Sequence, residues 1–200
     1  MRIIGLTGSI GMGKSTAAAM LRRMRIPVHC ADEAVHALLA AHGAAVADVA
    51  KLYPAAHDKK TNAINRSVLG KAVFHDAALM AKLEAILHPL VRQKEKQFLQ
   101  SCRAMRKRLV VLDIPLLFET LSEKRVHQVM VVSAPTFIQQ QRVLSRKDMT
   151  PEKLRVILKR QMPDAQKRKR ADGIIPTGLG RAVTFAALRS YIRHHQNPAI

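Results

Sequence analysis

Cysteine, aromatic and acidic residues are all scarce in this chain of 200 residues. Its two cysteines, Cys30 and Cys102, form no CxxC pair, so the sequence supports neither a disulfide framework nor a four-cysteine zinc site. This cysteine usage is typical of a cytoplasmic protein. Tryptophan is absent, and two tyrosines with five phenylalanines are too few for stacking single-stranded bases on aromatic side chains. No apolar segment approaches the roughly 18 residues of a membrane helix, so we expect no membrane partner.

Positive charge, by contrast, is abundant. The chain has 34 lysines and arginines against 14 aspartates and glutamates, which gives a net charge of +20 at neutral pH. A chain this basic attracts polyanions, whether nucleic acid, anionic lipid or phosphate-rich small molecules, and composition alone does not choose among them. The hydrophobic share of 48% is ordinary for a globular protein, and the length suffices for one domain with its own core.

Short β-branched apolar runs alternate with helical stretches along the chain. This alternation predicts an α/β fold with a parallel sheet flanked by helices. The predicted strands are 3–7, 27–30, 109–113, 126–132 and 171–176. The predicted helices are 15–25, a helix with Asp32 as its N-cap, a long region 66–108 broken near His88 and Pro89, 135–146, a helix opening at 150–152, and 179–195. The break is expected because proline fits poorly inside a helix.

Residues 8–15, Gly-Ser-Ile-Gly-Met-Gly-Lys-Ser, fit the G-x-x-x-x-G-K-[ST] pattern of a phosphate-binding loop. The segment follows a predicted strand and opens a predicted helix, a context that argues against a chance glycine-rich turn. Backbone N–H groups of such a loop surround an oxyanion at the positive end of the helix. In this pattern Lys14 reaches the β- and γ-phosphates of ATP, and the Ser15 hydroxyl is a ligand for Mg²⁺. The candidate nucleotide-binding residues are Gly8, Gly11, Met12, Gly13, Lys14, Ser15 and Thr16.

A carboxylate, Asp32, follows the second predicted strand. In a small-molecule kinase, a carboxylate at this point orients the substrate hydroxyl that attacks the γ-phosphate, or accepts its proton. Aspartate is also a favoured helix cap, and position alone does not separate the two roles. No N-K-x-D segment is present, which argues against a GTPase. The loop and Asp32 together favour a kinase of small molecules.

Four segments resemble the dephospho-CoA kinase family, in the family's order. They are 5–8 with 11–16, Ala31-Asp32, 83–92 with its His-Pro-x-x-Arg pattern, and 113–119 with its Pro-Leu-Leu-Phe-Glu pattern. A fifth and weaker segment contains Gln141, Arg142, Arg146 and Gln161, followed by 171–175. The likeness extends from residue 3 to about 178, and the patterns in 83–92 and 113–119 are more specific than the phosphate loop.

The resemblance implies an activity and a domain organisation. The activity is ATP-dependent phosphorylation of the ribose 3′-hydroxyl of dephospho-CoA, the last step of coenzyme A biosynthesis, with Mg²⁺ as cofactor. Residues 1–200 would form one P-loop kinase domain. Its core would comprise about 1–32, 109–135 and 171–200, with a helical substrate-binding region at about 33–108 and a lid at about 142–165.

Seven side chains match functional positions of the family, namely Asp32, Lys14, Ser15, His88, Arg92, Arg142 and Arg146. The resemblance makes Asp32 the base, His88 and Arg92 substrate-binding residues, and the last two lid arginines. From the residues alone, His88 fits a helix-end cap or a core imidazole better than a ligand, although Arg92 one turn later favours an anion site. Arg142 and Arg146 are four residues apart, on one face of the predicted helix, and fit a solvated face as well as a lid.

Three positions depart from the family's pattern. Cys30 stands where the family usually has an acid, which puts any role of that acid in doubt. Met12 replaces a small residue of the loop, and we expect its side chain to point outward. Pro176-Thr177 replaces a region where asparagine is common, so backbone groups would make the base contacts. Asp113, at the end of a predicted strand, either holds a Mg²⁺-bound water or anchors the loop, and the Pro-Leu-Leu-Phe stretch after it fits packing.

Two other functions stay open. One is another small-molecule or nucleoside monophosphate kinase on the same scaffold. The other is a basic nucleic-acid-binding protein, because 92–108 and 142–170 contribute +14 of the +20. No helix-turn-helix, zinc or RNA-recognition pattern supports that second alternative, so a nucleic acid is the less favoured partner. The sequence predicts no oligomeric state.

Overall fold

The computed structural model describes residues 1–196, apart from the side chains of residues 75 and 196. The chain forms two compact units. The first, called here the sheet unit, comprises Met1–His29 and the chain from Cys102 onward, and the second, the helical unit, comprises Cys30–Ser101. Each unit has its own cluster of buried apolar side chains.

The strands of the described residues, in chain order, are β1 (Arg2–Thr7), β2 (Val28–Cys30), β3 (His57–Asp58), β4 (Ala63–Ile64), β5 (Leu109–Asp113), β6 (Gln128–Ser133) and β7 (Gly173–Pro176). Five of them form one sheet in the order β2-β5-β1-β6-β7. Strand β1 pairs in parallel with β5 and β6, and β6 pairs in parallel with β7. The α/β fold with a parallel sheet is therefore confirmed, and β5 has the predicted bounds.

The helices of the described residues are α1 (Lys14–Arg23), α2 (Ala31–Leu39), α3 (Val46–Leu52), α4 (Arg66–His75), α5 (Ala77–Ala104), α6 (Thr136–Leu144), α7 (Pro151–Arg160), α8 (Asp164–Lys169) and α9 (Arg181–Gln196). Two 3₁₀ turns lie at Pro54–Ala56 and Ser122–Arg125. Helix α7 begins as predicted, since the Thr150 side chain accepts the N–H of Lys153 and proline occupies the first turn. Among these helices, none is long and apolar enough to cross a membrane.

The core of the sheet unit lies between the sheet and its helices. Strand β5 is buried along its whole length, and β1 and β6 are buried over four or more consecutive residues, as expected for strands covered on both faces. Side chains from α1 and α9 complete this core, including Leu21 and Leu188, both fully buried. In the Pro-Leu-Leu-Phe stretch Leu117 and Phe118 are buried, which confirms that they serve packing.

The helical unit packs α2, α3, α4 and α5 around a second core. Its buried side chains are Leu38, Leu39, Ala45, Val46, Val49, Ala56, Ile64, Leu69, Leu83 and Leu87. Strands β3 and β4 form a small antiparallel hairpin that the sequence did not predict, because each strand has only two residues. The helical unit therefore has its own apolar interior.

The predicted helix break at Pro89 is wrong, because Pro89 lies inside α5. Proline removes one N–H from a helix and frees the carbonyl four residues earlier, which is that of Ala85. Both residues are exposed, so water can solvate the freed carbonyl at little cost. The break lies instead at Asp76, whose Oδ1 accepts the N–H of Leu79 at 2.9 Å at the start of α5.

The expectation that Asp32 caps a helix is also wrong. Helix α2 begins at Ala31 with Cys30, and not Asp32, as the N-cap residue. Asp32 lies in the first turn, where a negative charge interacts favourably with the helix dipole.

Candidate functional site

The phosphate loop connects β1 to α1, which confirms the strand-loop-helix context of the motif. Gly13 is the N-cap residue of α1 with φ 85°, and Gly11 has φ 78°. Both angles lie in the left-handed region that L side chains rarely adopt. A Cβ on Gly11 would also lie 2.5 Å from Cγ2 of Val143 on α6. Glycine is therefore required at position 11 by both the backbone angle and the close approach of α6.

Met12 differs from its predicted orientation. Its side chain is only 2% exposed and belongs to the core of the sheet unit. The sulfur accepts the backbone N–H of Ala134, just after β6, at 3.2 Å. The side chain thus points inward rather than outward, where it packs among the buried apolar side chains of the sheet unit. Met12 anchors the loop to the sheet from within.

The loop lysine pairs with the aspartate at the end of β5. Nζ of Lys14 lies 2.6 Å from Oδ1 of Asp113, whose side chain is 2% exposed, whereas that of Lys14 is 13% exposed. The two meet because β5 and β1 are neighbouring parallel strands, with Leu6 opposite Asp113. Of the two roles that the sequence left open for Asp113, the contact supports anchoring of the loop.

Thr177, which follows β7, contacts the loop through its hydroxyl. Oγ1 donates to the carbonyl of Met12 at 2.7 Å and also lies 3.2 Å from the carbonyl of Ser133. The residue is 6% exposed, so the contact is shielded from water. In the sequence, position 177 stands out only as a departure from asparagine. One feature of the sequence could have identified Thr177 as a residue that contacts the loop. It is a short polar residue directly after a strand, and that strand ends at the same edge of the sheet as β1.

Arg142, on α6, contacts the same region. One guanidinium nitrogen donates to the carbonyl of Thr177 at 2.6 Å, and the other lies 3.4 Å from the carbonyl of Gly11. The predicted common helix face of Arg142 and Arg146 is wrong, because α6 ends at Leu144 and Arg146 lies beyond the helix end. Arg146 is exposed. The two arginines therefore do not share one helical surface.

Two glutamines hold the outer side of the loop at Ile10. The backbone N–H of Ile10 donates to Oε1 of Gln161 at 3.0 Å, and its carbonyl accepts Nε2 of Gln139 at 2.8 Å. Gln139 lies on α6 and is 5% exposed, whereas Gln161 follows α7. Both backbone groups of one loop residue are thus satisfied by side chains from distant parts of the sequence.

A cavity of about 740 Å³ borders the loop within the sheet unit. Its walls are mostly apolar, and Ser9 and Met12 of the loop form part of its lining. The polar groups of the lining include Ser133, Asp164 and Arg168. This volume lies in the range of small-molecule sites.

The candidate base and the candidate substrate-binding residues belong to the helical unit. Asp32 is an exposed residue of the first turn of α2. His88 and Arg92 are exposed on α5, four residues apart and therefore on one face of that helix. The exposure of His88 argues against its alternative role as a core imidazole. The structure thus brings Lys14, Arg142 and the loop backbone together in the sheet unit.

The site of the sheet unit can bind the phosphate end of a nucleotide. It offers the N-terminus of α1, which is a helix of ten residues, together with a glycine-rich turn and the Lys14 ammonium. Such a set holds anionic oxygens through backbone N–H groups, the helix dipole and a charged donor.

Comparison with known proteins gives consistent matches. A family model described as dephospho-CoA kinase matches residues 2–179. A dephospho-CoA kinase of Rhodospirillum rubrum is 53% identical over 188 residues, which cover 94% of this chain and 89% of that protein. One of Paramagnetospirillum magneticum is 58% identical over 168 residues, covering 84% and 78%. The crystal structure of a Thermus thermophilus protein, 33% identical, matches with a TM-score of 0.80 over 96% of both chains.

Proposed function

Because the chain belongs to the dephospho-CoA kinase family, we propose that it transfers the γ-phosphoryl group of ATP to the ribose 3′-hydroxyl of dephospho-CoA. The products are coenzyme A and ADP, and the reaction is the last step of coenzyme A biosynthesis. The observation that carries this proposal is the family match over residues 2–179, which includes the phosphate loop and both segment patterns at 83–92 and 113–119. A cytoplasmic location is part of the same proposal and is supported by the cysteine usage.

ATP binds through the phosphate loop in this proposal. The loop supplies backbone and side-chain groups to the phosphates of ATP, and the residues that do so are Gly8, Gly11, Met12, Gly13, Lys14, Ser15 and Thr16. The positive φ of Gly11 and Gly13 supports this role, because it turns the chain sharply before α1 begins. Lys14 balances the charge that grows on the transferred group and on the leaving ADP oxygen.

Mg²⁺ fits this site as an ion that arrives with ATP. Among the described residues, no group of three or more His, Cys, Asp or Glu side chains could hold a metal ion. Mg²⁺ typically uses few protein ligands together with substrate phosphates and water, so a single hydroxyl suffices. Ser15, exposed in the first turn of α1, is the ligand we propose. When bound, Mg²⁺ neutralises phosphate charge.

Asp32 is the base of the proposed reaction. Its carboxylate is exposed in the first turn of α2, directly after β2. A carboxylate in this role orients the 3′-hydroxyl and accepts its proton as the oxygen attacks the γ-phosphate.

His88 and Arg92 bind the anionic part of dephospho-CoA in this proposal. Their shared face on α5 supports it, since a guanidinium and an imidazole one turn apart match a phosphate group. Residues 33–108 are accordingly the substrate-binding region, and about 142–165 the lid. Arg142 and Arg146 stabilise the transferred phosphoryl group, for which the contacts of Arg142 with the loop give support.

The activity is tested by an ADP-release assay with Mg·ATP and one acceptor at a time. Dephospho-CoA is compared with AMP, gluconate and shikimate at equal concentrations. We expect turnover with dephospho-CoA alone. Turnover with another acceptor and none with dephospho-CoA would refute the assignment. A nucleic-acid-binding protein would instead bind duplex DNA with steep salt dependence and without regard to Lys14→Ala.

The role of Asp32 is tested by a matched pair of carboxylate variants. Asp32→Asn should lower turnover at least about a hundredfold while ATP binding is retained, as expected for loss of a positioned base. Glu33→Gln removes the neighbouring carboxylate of the same helical turn and should leave turnover near that of the original protein. Equal effects of the two variants would show that the negative charge at the start of α2, and not a base, is what matters.

A further inference from the structure

One lysine of the sheet unit is completely buried. Lys167, on α8, is 0% exposed, and its Nζ lies 2.9 Å from Oε1 of Glu119. The ammonium and the carboxylate thus form an ion pair shielded from water. Glu119 is the last residue of the Pro-Leu-Leu-Phe-Glu pattern, and neither side chain has a part in the proposed reaction. A buried charge pair of this kind calls for a physical reason.

The same carboxylate oxygen also holds a stretch of backbone. Oε1 of Glu119 accepts the N–H of Met162 at 2.7 Å. Burial raises the pKa of Glu119, but the Lys167 ammonium and the Met162 N–H outweigh this effect and leave the pKa below its ordinary value. The carboxylate therefore stays charged at neutral pH, and it accepts from Met162 as a strong, charge-assisted acceptor.

The residue before Met162 contacts the phosphate loop. Gln161 accepts the N–H of Ile10 through its Oε1 at 3.0 Å. A continuous set of contacts thus leads from Lys167 through Glu119 and the backbone at 161–162 to Ile10. Every member of this set lies within the sheet unit.

Stability alone does not account for the pair. Replacing a buried ion pair by apolar side chains of similar size is often neutral or stabilising, because two charges no longer lose their hydration. What apolar side chains cannot do is accept the Met162 N–H and fix the direction of the chain at 161–162. The benefit of Glu119 therefore lies in geometry.

We propose that Glu119 and Lys167 are positioning residues that keep Gln161 on Ile10 and so hold the phosphate loop in its ATP-binding shape. Lys167 fixes the carboxylate, the carboxylate fixes the Met162 backbone, and that backbone fixes Gln161. The proposal rests on the proposed function only for its kinetic readout, since ATP binding requires the loop alone.

Two uncharged double variants test this proposal. Glu119→Leu with Lys167→Met removes both charges and also the acceptor for Met162. Glu119→Gln with Lys167→Met removes both charges but keeps an amide oxygen at the same place. Binding is measured by fluorescence with ATP that carries an N-methylanthraniloyl group on its ribose, and stability by urea unfolding.

The Leu/Met variant should bind the labelled ATP about tenfold more weakly than the Gln/Met variant, with an unfolding midpoint equal to or above it. Gln161→Ala should weaken binding to the same extent, and adding it to the Leu/Met variant should weaken binding no further, because all three changes break one set of contacts. Equal affinities of the two double variants would overturn the proposal, and so would independent, multiplying effects of Gln161→Ala.

A neighbouring ion pair serves as control. Arg170 lies 2.6 Å from Glu123, and this pair is partly exposed. Glu123→Gln should leave the affinity for labelled ATP unchanged.

In the ADP-release assay the Leu/Met variant should show a raised KM for ATP, with kcat and the KM for dephospho-CoA within about twofold of the values of the unsubstituted protein. If dephospho-CoA is not the acceptor, the kinetic arm fails while the binding comparison still decides the proposal.

Discussion

Thr177→Val should lower both the free energy of unfolding and the affinity for ATP. The substitution keeps the shape of the side chain and removes the hydroxyl that donates to the Met12 carbonyl at 2.7 Å. Because Thr177 is 6% exposed, no bulk water replaces that donor. The backbone contact of Thr177 with Arg142 is retained in the valine variant. The longer contacts of the same hydroxyl with the Ser133 carbonyl at 3.2 Å and with the Arg142 guanidinium at 3.4 Å are lost together with the bond to Met12.

The expected magnitude follows from leaving a buried carbonyl without its donor. That loss costs about 1–3 kcal/mol of unfolding free energy. For a chain of this size it corresponds to a fall in Tm of about 2–12 °C. Since the carbonyl belongs to the phosphate loop, part of the loss should appear in nucleotide affinity, and we expect Kd for ribose-labelled ATP to rise about five- to tenfold.

Thr184→Val is the matched control. Thr184 is 3% exposed, and its hydroxyl donates to the carbonyls of Pro176 and Gly180 at 2.9 and 3.0 Å, neither of which belongs to the loop. It should lower the free energy of unfolding by a similar amount and leave the affinity for ATP unchanged. Urea unfolding and fluorescence titration measure the two quantities. If both valine variants bind ATP equally well, the hydroxyl of Thr177 does not shape the loop.

Three further changes have defined outcomes. Pro89→Ala should raise the free energy of unfolding, measured in urea, by about 2 kcal/mol, because proline is about 3 kcal/mol less favourable than alanine inside a helix. An unchanged free energy would contradict this cost of proline inside α5. Gly11→Ala should raise Kd for labelled ATP at least about tenfold, because φ 78° and the contact with Val143 both oppose a Cβ; unchanged affinity would contradict this. The pKa of Glu119 is lowered from 4.5, so its stabilising effect is present above that pH and is lost as the pH falls through the lower, folded-state value. Urea unfolding of the original protein and of Glu119→Gln should therefore differ most at neutral pH and converge in acid, and a difference independent of pH would refute the sign.

The elements that sequence analysis predicted well are those whose signals are local. Strand β5 is an unbroken apolar run ended by Asp113, and both of its ends are as predicted. The phosphate loop is equally local, because its glycines, Lys14 and Ser15 are fixed by spacing along the chain. The parallel direction of the strands in the sheet was predicted from the alternation of strands and helices along the chain.

The predictions that failed depend on surroundings that the sequence does not encode locally. Pro89 is tolerated in α5 because its face is exposed. Met12 points inward because its side chain packs in the core of the sheet unit, with its sulfur accepting the N–H of Ala134. Arg146 was placed on a helix that ends two residues earlier. The buried Lys167 shows the same dependence on surroundings, since it stands in the basic run 167–170 and lysine is almost never fully buried unless it is paired. Its partner Glu119 is 48 positions earlier in the sequence.

The net charge of +20 divides into groups with different positions relative to the loop. Arg103, Arg106, Lys107 and Arg108 precede β5, whereas Asp113 and Lys14 meet at its other end. Five strand residues separate the two ends by about 13–17 Å, which exceeds the screening length of about 10 Å at 0.1 M salt. The arginines at the end of α1 are similarly remote, since that helix runs ten residues away from the loop. These cations therefore contribute little to holding ATP on the loop, and in the proposed reaction we expect Lys14 and Arg142 to collect the phosphates there.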